Sequence, residues 1–213
     1  MKITKFGHAC LLVEANGVTV LTDPGMWNPL PEVKNLDAIV ITHEHQDHCD
    51  IDQVKALLAK HPNAKVITHA AVGEKLKEQG IAYEVIEPGK SIDVKGVSVE
   101  SFGTEHAAIY GASPCRNTGF LINGELFVPG DALHDVPSKT VRVLALPTGG
   151  PWMKLSEAVD YAKAIKAQIV FPIHDAMYTE MARAGLGSRI VGSFLEGMGM
   201  TFVDMAAGDS KEF

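Results

Sequence analysis

Apolar residues come in short runs broken by turn residues, and the runs change period along the chain. Met1-Lys2-Ile3-Thr4-Lys5-Phe6 alternates apolar and polar, which predicts a strand, and Gly7-His8-Ala9 breaks it. Cys10 to Glu14 and Val18 to Thr22 flank Asn16-Gly17 and predict a tight hairpin, because both central turn positions need positive φ. The second strand runs into Asp23-Pro24-Gly25 and a Pro- and Gly-rich loop reaching Pro31. Asp37 to Thr42 is a Val/Ile-rich run, the pattern of a strand buried on both faces. Asp50 can cap a helix over Ile51 to Lys60, which His61-Pro62 ends. A strand over Lys65 to Thr68 and a helix over Ala70 to Gln79 follow, then strands over Tyr83 to Ile86, Ser91 to Val94 and Val97 to Phe102. Gly103 to Cys115 is irregular and carries His106.

The same grammar then returns. Gly119 to Ile122 and Glu125 to Val128 flank Asn123-Gly124 and run into Pro129-Gly130-Asp131. Val141 to Leu146 is an apolar strand, Leu155 to Lys166 an amphipathic helix, and Gln168 to Pro172 a strand that delivers Ile173-His174-Asp175. Tyr178 to Ala184 and Ser188 to Met198 have helical character, and Thr201 to Val203 closes a sheet. Each half thus has an Asn-Gly hairpin ending on an acid, Asp23 or Asp131, and a later apolar strand ending on a histidine, His43 or His174. This reads as a diverged duplication that brings the four groups to one edge, where α/β sheets place ligands.

Size and charge narrow the function classes. The 213 residues suffice for one domain spanning 1–213 with its own core. A net charge of −7 without a basic run disfavours a nucleic-acid partner, whose affinity comes from Lys and Arg on phosphates. Three cysteines, Cys10, Cys49 and Cys115, argue against a disulfide framework and for a reducing, cytoplasmic setting. The N-terminal stretch has neither a signal-peptide pattern nor a membrane span. The expected partner is a small-molecule substrate, with no nucleic acid and no membrane, in a chain compatible with a homo-oligomer.

The chemistry concentrates in Thr42-His43-Glu44-His45-Gln46-Asp47-His48, directly after an apolar strand. Two imidazoles at i and i+2 can take one cation from the same side of a turning chain, and the Asp-His that follows can face a second. Imidazole suits zinc, and a carboxylate widens the choice to manganese or iron. His8 sits at the break after the first strand, a position that suits either a pocket residue or a hydrogen-bonded packing residue. His134, three positions after Asp131, is a candidate for the substrate side. His61 and His69 read as surface or helix-end residues, and Cys49 as a buried inert thiol. Met26, Trp27, Trp152 and Met153 lie in the two loops near the acids and suit pocket walls or core packing equally.

Together Asp23 after the first hairpin, His43-x-His45-x-Asp47-His48, His106, Gly130-Asp131 and His174 resemble the metallo-β-lactamase fold superfamily over nearly the whole chain. Gly7-His8-Ala9, Leu21-Thr22-Asp23-Pro24 and Gly149-Gly150-x-x-Met153 resemble its small single-domain branch of metal-dependent hydrolases, related to L-ascorbate-6-phosphate lactonase-like proteins. The resemblance implies a four-layer αββα sandwich and two divalent metal ions, zinc first, with Mn2+ or Fe2+ as alternatives. It implies that His43, His45 and His106 hold one metal, that Asp47, His48 and His174 hold the second, that Asp131 bridges them, and that Asp23 orients a ligand histidine. Ala132 and Asp175 stand where the branch commonly has Thr and Tyr, departures that bear on the substrate pocket.

The expected activity is hydrolysis of a small-molecule ester, lactone or phosphodiester by a hydroxide at a dinuclear site, with Asp47 as the catalytic carboxylate or purely as a ligand. The rivals are a nuclease of the same fold, which usually carries an extra RNA-clamping arm, and an iron-dependent redox enzyme, whose flavin-linked versions tend to place Glu where His45 stands.

Overall fold

The computed structural model describes residues 1–113 and 115–213, the side chain of Leu186 excepted. Strands β1 (Lys2–Lys5), β2 (Leu11–Ala15), β3 (Val18–Thr22), β4 (Ala38–Ile41), β5 (Lys65–Thr68) and β6 (Glu84–Val85) belong to a first sheet. A second sheet holds β7 (Ser91–Val94), β8 (Val97–Phe102), β9 (Gly119–Ile122), β10 (Leu126–Val128), β11 (Val143–Pro147), β12 (Ile169–Ile173) and β13 (Thr201–Phe202). The last strand, β14 (Ser210–Glu212), returns to pair antiparallel with β1, an addition the sequence pattern did not reveal. Helices α1 (Ile51–Lys60) and α2 (Ala70–Glu78) cover the first sheet, and α3 (Leu155–Ile165) covers the second. The two helices expected near the C-terminus are one continuous run: α4 (Glu180–Ala182), a π-helical stretch Arg183–Ile190, and α5 (Val191–Gly197).

Three apolar layers hold this four-layer αββα sandwich together. Val40, Phe120, Ile122, Val143 and Phe171 meet between the sheets. Ile39, Ile41, Val54, Leu57 and Leu76 fill the space under α1 and α2, and Leu121, Leu144, Ala158, Tyr161 and Leu195 fill the space under α3 and α5. The unbroken apolar run of β4 is explained by this: Ala38 and Val40 face the other sheet while Ile39 and Ile41 face helices. Burial of one such side chain contributes on the order of 1.5–3 kcal/mol, which makes the strand's register hard to slip.

The halves repeat, with one correction. In each sheet an antiparallel hairpin, β2–β3 or β9–β10, is followed by two parallel strands, β4 and β5 or β11 and β12. The two turn tips touch, Asn16 Nδ2 donating to Asn123 Oδ1 at 3.2 Å. Asp23 and Asp131 are therefore counterparts. His43 and His174 are not: β4 corresponds to β11, which ends on Pro147, and β12 corresponds to β5, which is followed by His69. Adjacent parallel strands share one apolar pattern, so sequence alone could not choose between them. His69 begins α2 as expected of a helix-end residue, but it is buried rather than on the surface.

One buried ion pair locks the sheets at the end where the loops gather. Lys5 is 1% exposed, and its Nζ donates to both carboxylate oxygens of Asp175, at 2.8 and 2.7 Å, and to the carbonyls of Pro172 and Met205. Burial lowers the Lys5 pKa and Asp175 counters it. Asp175, which stands where the branch commonly has Tyr, is held by this lysine and also lines a cleft with His8, Trp27 and Tyr178. Lys5→Met leaves the Asp175 charge buried without its partner and should cost about 3–5 kcal/mol in urea unfolding, whereas adding Asp175→Leu should recover part of the loss.

Candidate metal centre

Several loops at the strand ends build the centre, and two of them, at Asp23 and at Asp131, are tied by buried hydrogen bonds. After β3 the chain turns at Asp23, which has a positive φ of 40°. Its carboxylate accepts from the Thr42 amide at 2.8 Å, the Thr42 hydroxyl at 2.8 Å and His48 Nδ1 at 2.9 Å. The His43–His48 loop closes on itself through Cys49 N donating to His45 O, and it is seated against Gly25. A Cβ at Gly25 would lie 1.7 Å from the Asp47 carbonyl oxygen, so only glycine allows that approach. Asp50 then caps α1 by accepting from the amides of Asp52 and Gln53.

The second loop hangs on Asn117, a residue that sequence reasoning missed. Its Oδ1 accepts from the Asp131 amide at 3.1 Å, and its Nδ2 donates to Pro129 O at 2.8 Å. Gly130 has a φ of +65°, and a Cβ there would lie 2.2 Å from Asn117 Oδ1. An Asn preceding a strand has many uses, and nothing in the local sequence marks this one. His174 ends β12 with a positive φ of 58°, and its amide donates to His8 O at 2.7 Å. Of six non-glycine residues with positive φ among the described residues, Asp23 and His174 belong to the site.

The side chains converge in two adjacent sets. His43, His45, His106 and Asp131 present ligand-type atoms within 4.8 Å of one another, and so do His8, Asp47, His48 and His174. Asp131 reaches both sets: Oδ1 is 3.1 Å from His48 Nε2, and Oδ2 is 2.9 Å from His174 Nε2 and 3.3 Å from His106 Nε2. Asp47 Oδ2 lies 3.3 Å from His8 Nε2 and 3.8 Å from His174 Nε2. Asp23 stands behind His48. His134 is not brought here; it is exposed, with Nε2 3.6 Å from Asp135 Oδ2. Trp152 is buried, its ring centroid 5.9 Å from that of His106 and 5.4 Å from that of His174. Trp27 is half exposed and meets His8 edge-on, Met26 is exposed, and Met153 packs into the layer under α3.

The residues fit divalent cations. Buried Nε2 of His8, His48, His106 and His174 and Oδ1 of Asp131 have no hydrogen-bond partner among the described residues. Orphaned buried polar atoms are costly, and these face one another across the two sets. The opposite ring nitrogens are satisfied: His48 Nδ1 donates to Asp23, His174 Nδ1 to Gly149 O, His106 Nδ1 to Ala107 O and His43 Nδ1 to the Thr42 hydroxyl oxygen. A proton fixed on Nδ1 leaves a lone pair on Nε2, the arrangement a metal-ligating histidine needs. His45 is turned the other way, with Nδ1 3.1 Å from His43 Nε2 and Nε2 3.7 Å from Cys115 Sγ.

Charge follows from the same contacts. Burial opposes ionisation of Asp131 and Asp47, but the surrounding histidines outweigh it, holding Asp131 well below the usual carboxylate range and Asp47 at about 2. Burial pushes His43 well down and His8 to about 4. Burial also opposes charge on His48, yet Asp131 and Asp23 together raise it well above the ordinary histidine value, so a cation at its Nε2 would have to displace a proton. Beside the first set, a cleft of about 710 Å³ is lined by His45, His106, Thr104, Ala107, Ile109 and Arg116.

Removing Asp23 as Asp23→Ala should release His48 and Thr42 and weaken zinc binding roughly 10–100-fold, read by competition with a chelator. All three cysteines are free, and burial pushes Cys49 up to about 12 and Cys115 to about 11, with Cys10 raised as well. A thiol reagent at pH 8 should therefore leave Cys10 and Cys49 untouched until the chain is unfolded, and Cys49→Ser should keep its metal. Fast labelling of Cys49 in the native protein would contradict an inert thiol.

Comparison with known proteins places this geometry. The model of the beta-lactamase superfamily domain matches residues 2–174. A Mycobacterium tuberculosis protein, Rv0786c, is 36% identical over 190 residues, covering 86% of this chain and 88% of its own. A UPF0173 metal-dependent hydrolase of Thermoplasma acidophilum is 31% identical over 188 residues, covering 82% of this chain and 83% of its own. The structure of Igni18, a metallo hydrolase from Ignicoccus hospitalis, superposes with a TM-score of 0.78 at 22% identity, over 100% of this chain and 98% of that one, and shares the fold. By its matched length and by these relatives, the chain belongs to the beta-lactamase superfamily.

Proposed function

We propose that this metal-dependent hydrolase cleaves an ester, lactone or phosphodiester bond of a small molecule at a dinuclear site. His43, His45 and His106 would hold one divalent cation, Asp47, His48 and His174 the second, and Asp131 would lie between them. The position of Asp131 carries the reading: its carboxylate is within 3.3 Å of imidazoles from both sets. A carboxylate there offsets part of the repulsion between two close cations. Bound in these sets, the cations would act as Lewis acids and bring the pKa of water from 15.7 to roughly 7. Zinc suits the imidazole-rich donor set, and Mn2+ and Fe2+ compete through the carboxylates.

The chain's own groups supply the rest. Asp47 is ionised across the working pH range, so it can accept a hydrogen bond from the attacking water and orient it. The cleft's small side chains, Ala107, Ala108, Ala112 and Ser113, with Glu105 and Arg116 as its oppositely charged groups, suit a compact substrate. Its volume lies in the ordinary range for small-molecule sites, roughly 300–1,000 Å³. The net charge of −7 supports a small substrate over a nucleic acid. Three unpaired thiols support a cytoplasmic location, and no helix among the described residues is long and apolar enough to cross a membrane.

Metal content per chain, measured at matched free zinc, tests the arrangement. Asp131→Ala should weaken both sites, His106→Ala mainly the first and His174→Ala mainly the second. Two zinc ions held at wild-type affinity by the Asp131 variant would sink the bridge. A panel of lactones, phosphodiesters, thioesters and β-lactams should show turnover that a chelator abolishes. Turnover confined to structured RNA would replace this reading with a nuclease.

A further inference from the structure

The second set contains one imidazole more than the expected ligands, and His8 is the one that differs in kind. It is fully buried, in the turn after β1. Its Nε2 joins Asp47, His48 and His174 in the set, which makes it a fourth ligand by proximity alone. The opposite ring nitrogen argues otherwise. In His43, His48, His106 and His174, Nδ1 faces an oxygen that accepts its proton. In His8, Nδ1 faces a donor, the backbone N–H of Ala176 at 3.4 Å.

A neutral imidazole carries one proton and one lone pair. With the lone pair on Nδ1 turned to Ala176 N–H, the proton sits on Nε2, and Nε2 cannot then ligate. The ligand tautomer would press an Nδ1–H against the Ala176 N–H. We infer that His8 is a positioning residue, protonated on Nε2, which donates to Asp47 Oδ2 and aims that carboxylate at the cation held by His48 and His174. The contact is 3.3 Å; His8 Nε2 is unpartnered among the described residues like the Nε2 atoms of His48, His106 and His174, so it is the Nδ1 contact that separates His8 from them. Asp47 Oδ2 also lies 3.9 Å from His48 Nε2, so the oxygen His8 would grip is the one facing the ligands.

The ring has little freedom to do anything else. His8 O accepts from the His174 amide at 2.7 Å, its ring centroid is 3.9 Å from that of His174, and Trp27 closes the other side at 4.8 Å. The turn after β1 is thus docked on the turn after β12, and Asp47 is gripped from the N-terminal side of the chain. A donor on a ligand carboxylate removes some of its orientations before the cation arrives, which is how such partners raise affinity. The inference rests on the two-cation reading above.

The test is a long-range 1H–15N correlation spectrum of the zinc-loaded full chain, labelled at histidine and assigned through the backbone. His8 should show its proton on Nε2 and a bare Nδ1, opposite to His48, His106 and His174. A proton on Nδ1 and a metal-shifted Nε2 would make His8 a ligand and overturn the inference. Zinc titrations of two variants add a second readout. His8→Gln keeps an N–H donor near the Nε2 position and should hold the second zinc within about threefold of wild type, while His8→Phe should bind it about tenfold more weakly. Equal loss in both variants, or loss in neither, also overturns it, and a His8→Phe chain that does not fold leaves the decision to the wild-type spectrum. Zinc counted in the wild-type samples reports on the two-cation reading by itself, since one zinc per chain defeats that reading without altering the His8 tautomer.

Discussion

The site depends first on Asp23. Its carboxylate is completely buried and accepts three hydrogen bonds, two from Thr42 and one from His48. Those bonds fix the end of β4 against the end of β3 and set the rotation of an imidazole in the same step. A buried carboxylate with fewer partners would cost several kcal/mol, so the turn, the strand ends and the ring stand or fall together. Asn117 plays the matching part under Asp131, through its amide rather than a charge. The two acids that end the two hairpins thus differ in their contacts: Asp23 holds His48 from behind, and Asp131 touches both sets.

Much of this was legible in the sequence because the informative features are local. The Asn-Gly turns, the apolar runs and the His43–His48 cluster each carry their meaning within a few residues. The resemblance then supplied the order of distant ligands, and the structure brings His43, His45, Asp47, His48, His106, Asp131 and His174 into two neighbouring sets. What escaped was non-local. Nothing near Asn117 says that it will hold the turn at Asp131, and nothing near Lys5 says that it will be buried against Asp175. The tautomer of His8 depends on an amide 168 positions away. His134 shows the opposite error, since closeness in sequence to Asp131 did not become closeness in space.

The repeat pattern was read correctly at the hairpins and one strand off at the histidines. Hairpin turns are singular marks, whereas parallel strands buried on both faces look alike. The structural counterpart of His174 is His69, which is buried with both ring nitrogens unpartnered among the described residues. One copy of this strand end contributes a side chain to the centre and the other does not. Asymmetry of this kind is what two halves acquire once each is freed to serve a different part of one site.

The pairing of the chain's ends has a consequence for how the centre comes into being. The N-terminal ammonium donates to Phe213 O at 2.9 Å, β1 pairs with β14, and Lys5 reaches across to the turn that presents His174. The candidate ligand residues run from residue 43 to residue 174 and sit at the seam between two sheets, so neither half of the chain encloses a complete set. Their contacts are long-range, the kind that close late because the loop entropy is spent before the contact forms. A cation held by both halves would stabilise the closed chain most, by mass action, since His43, His45, Asp47 and His48 alone offer only part of each set. Full occupancy of either set would therefore report that the two halves have met.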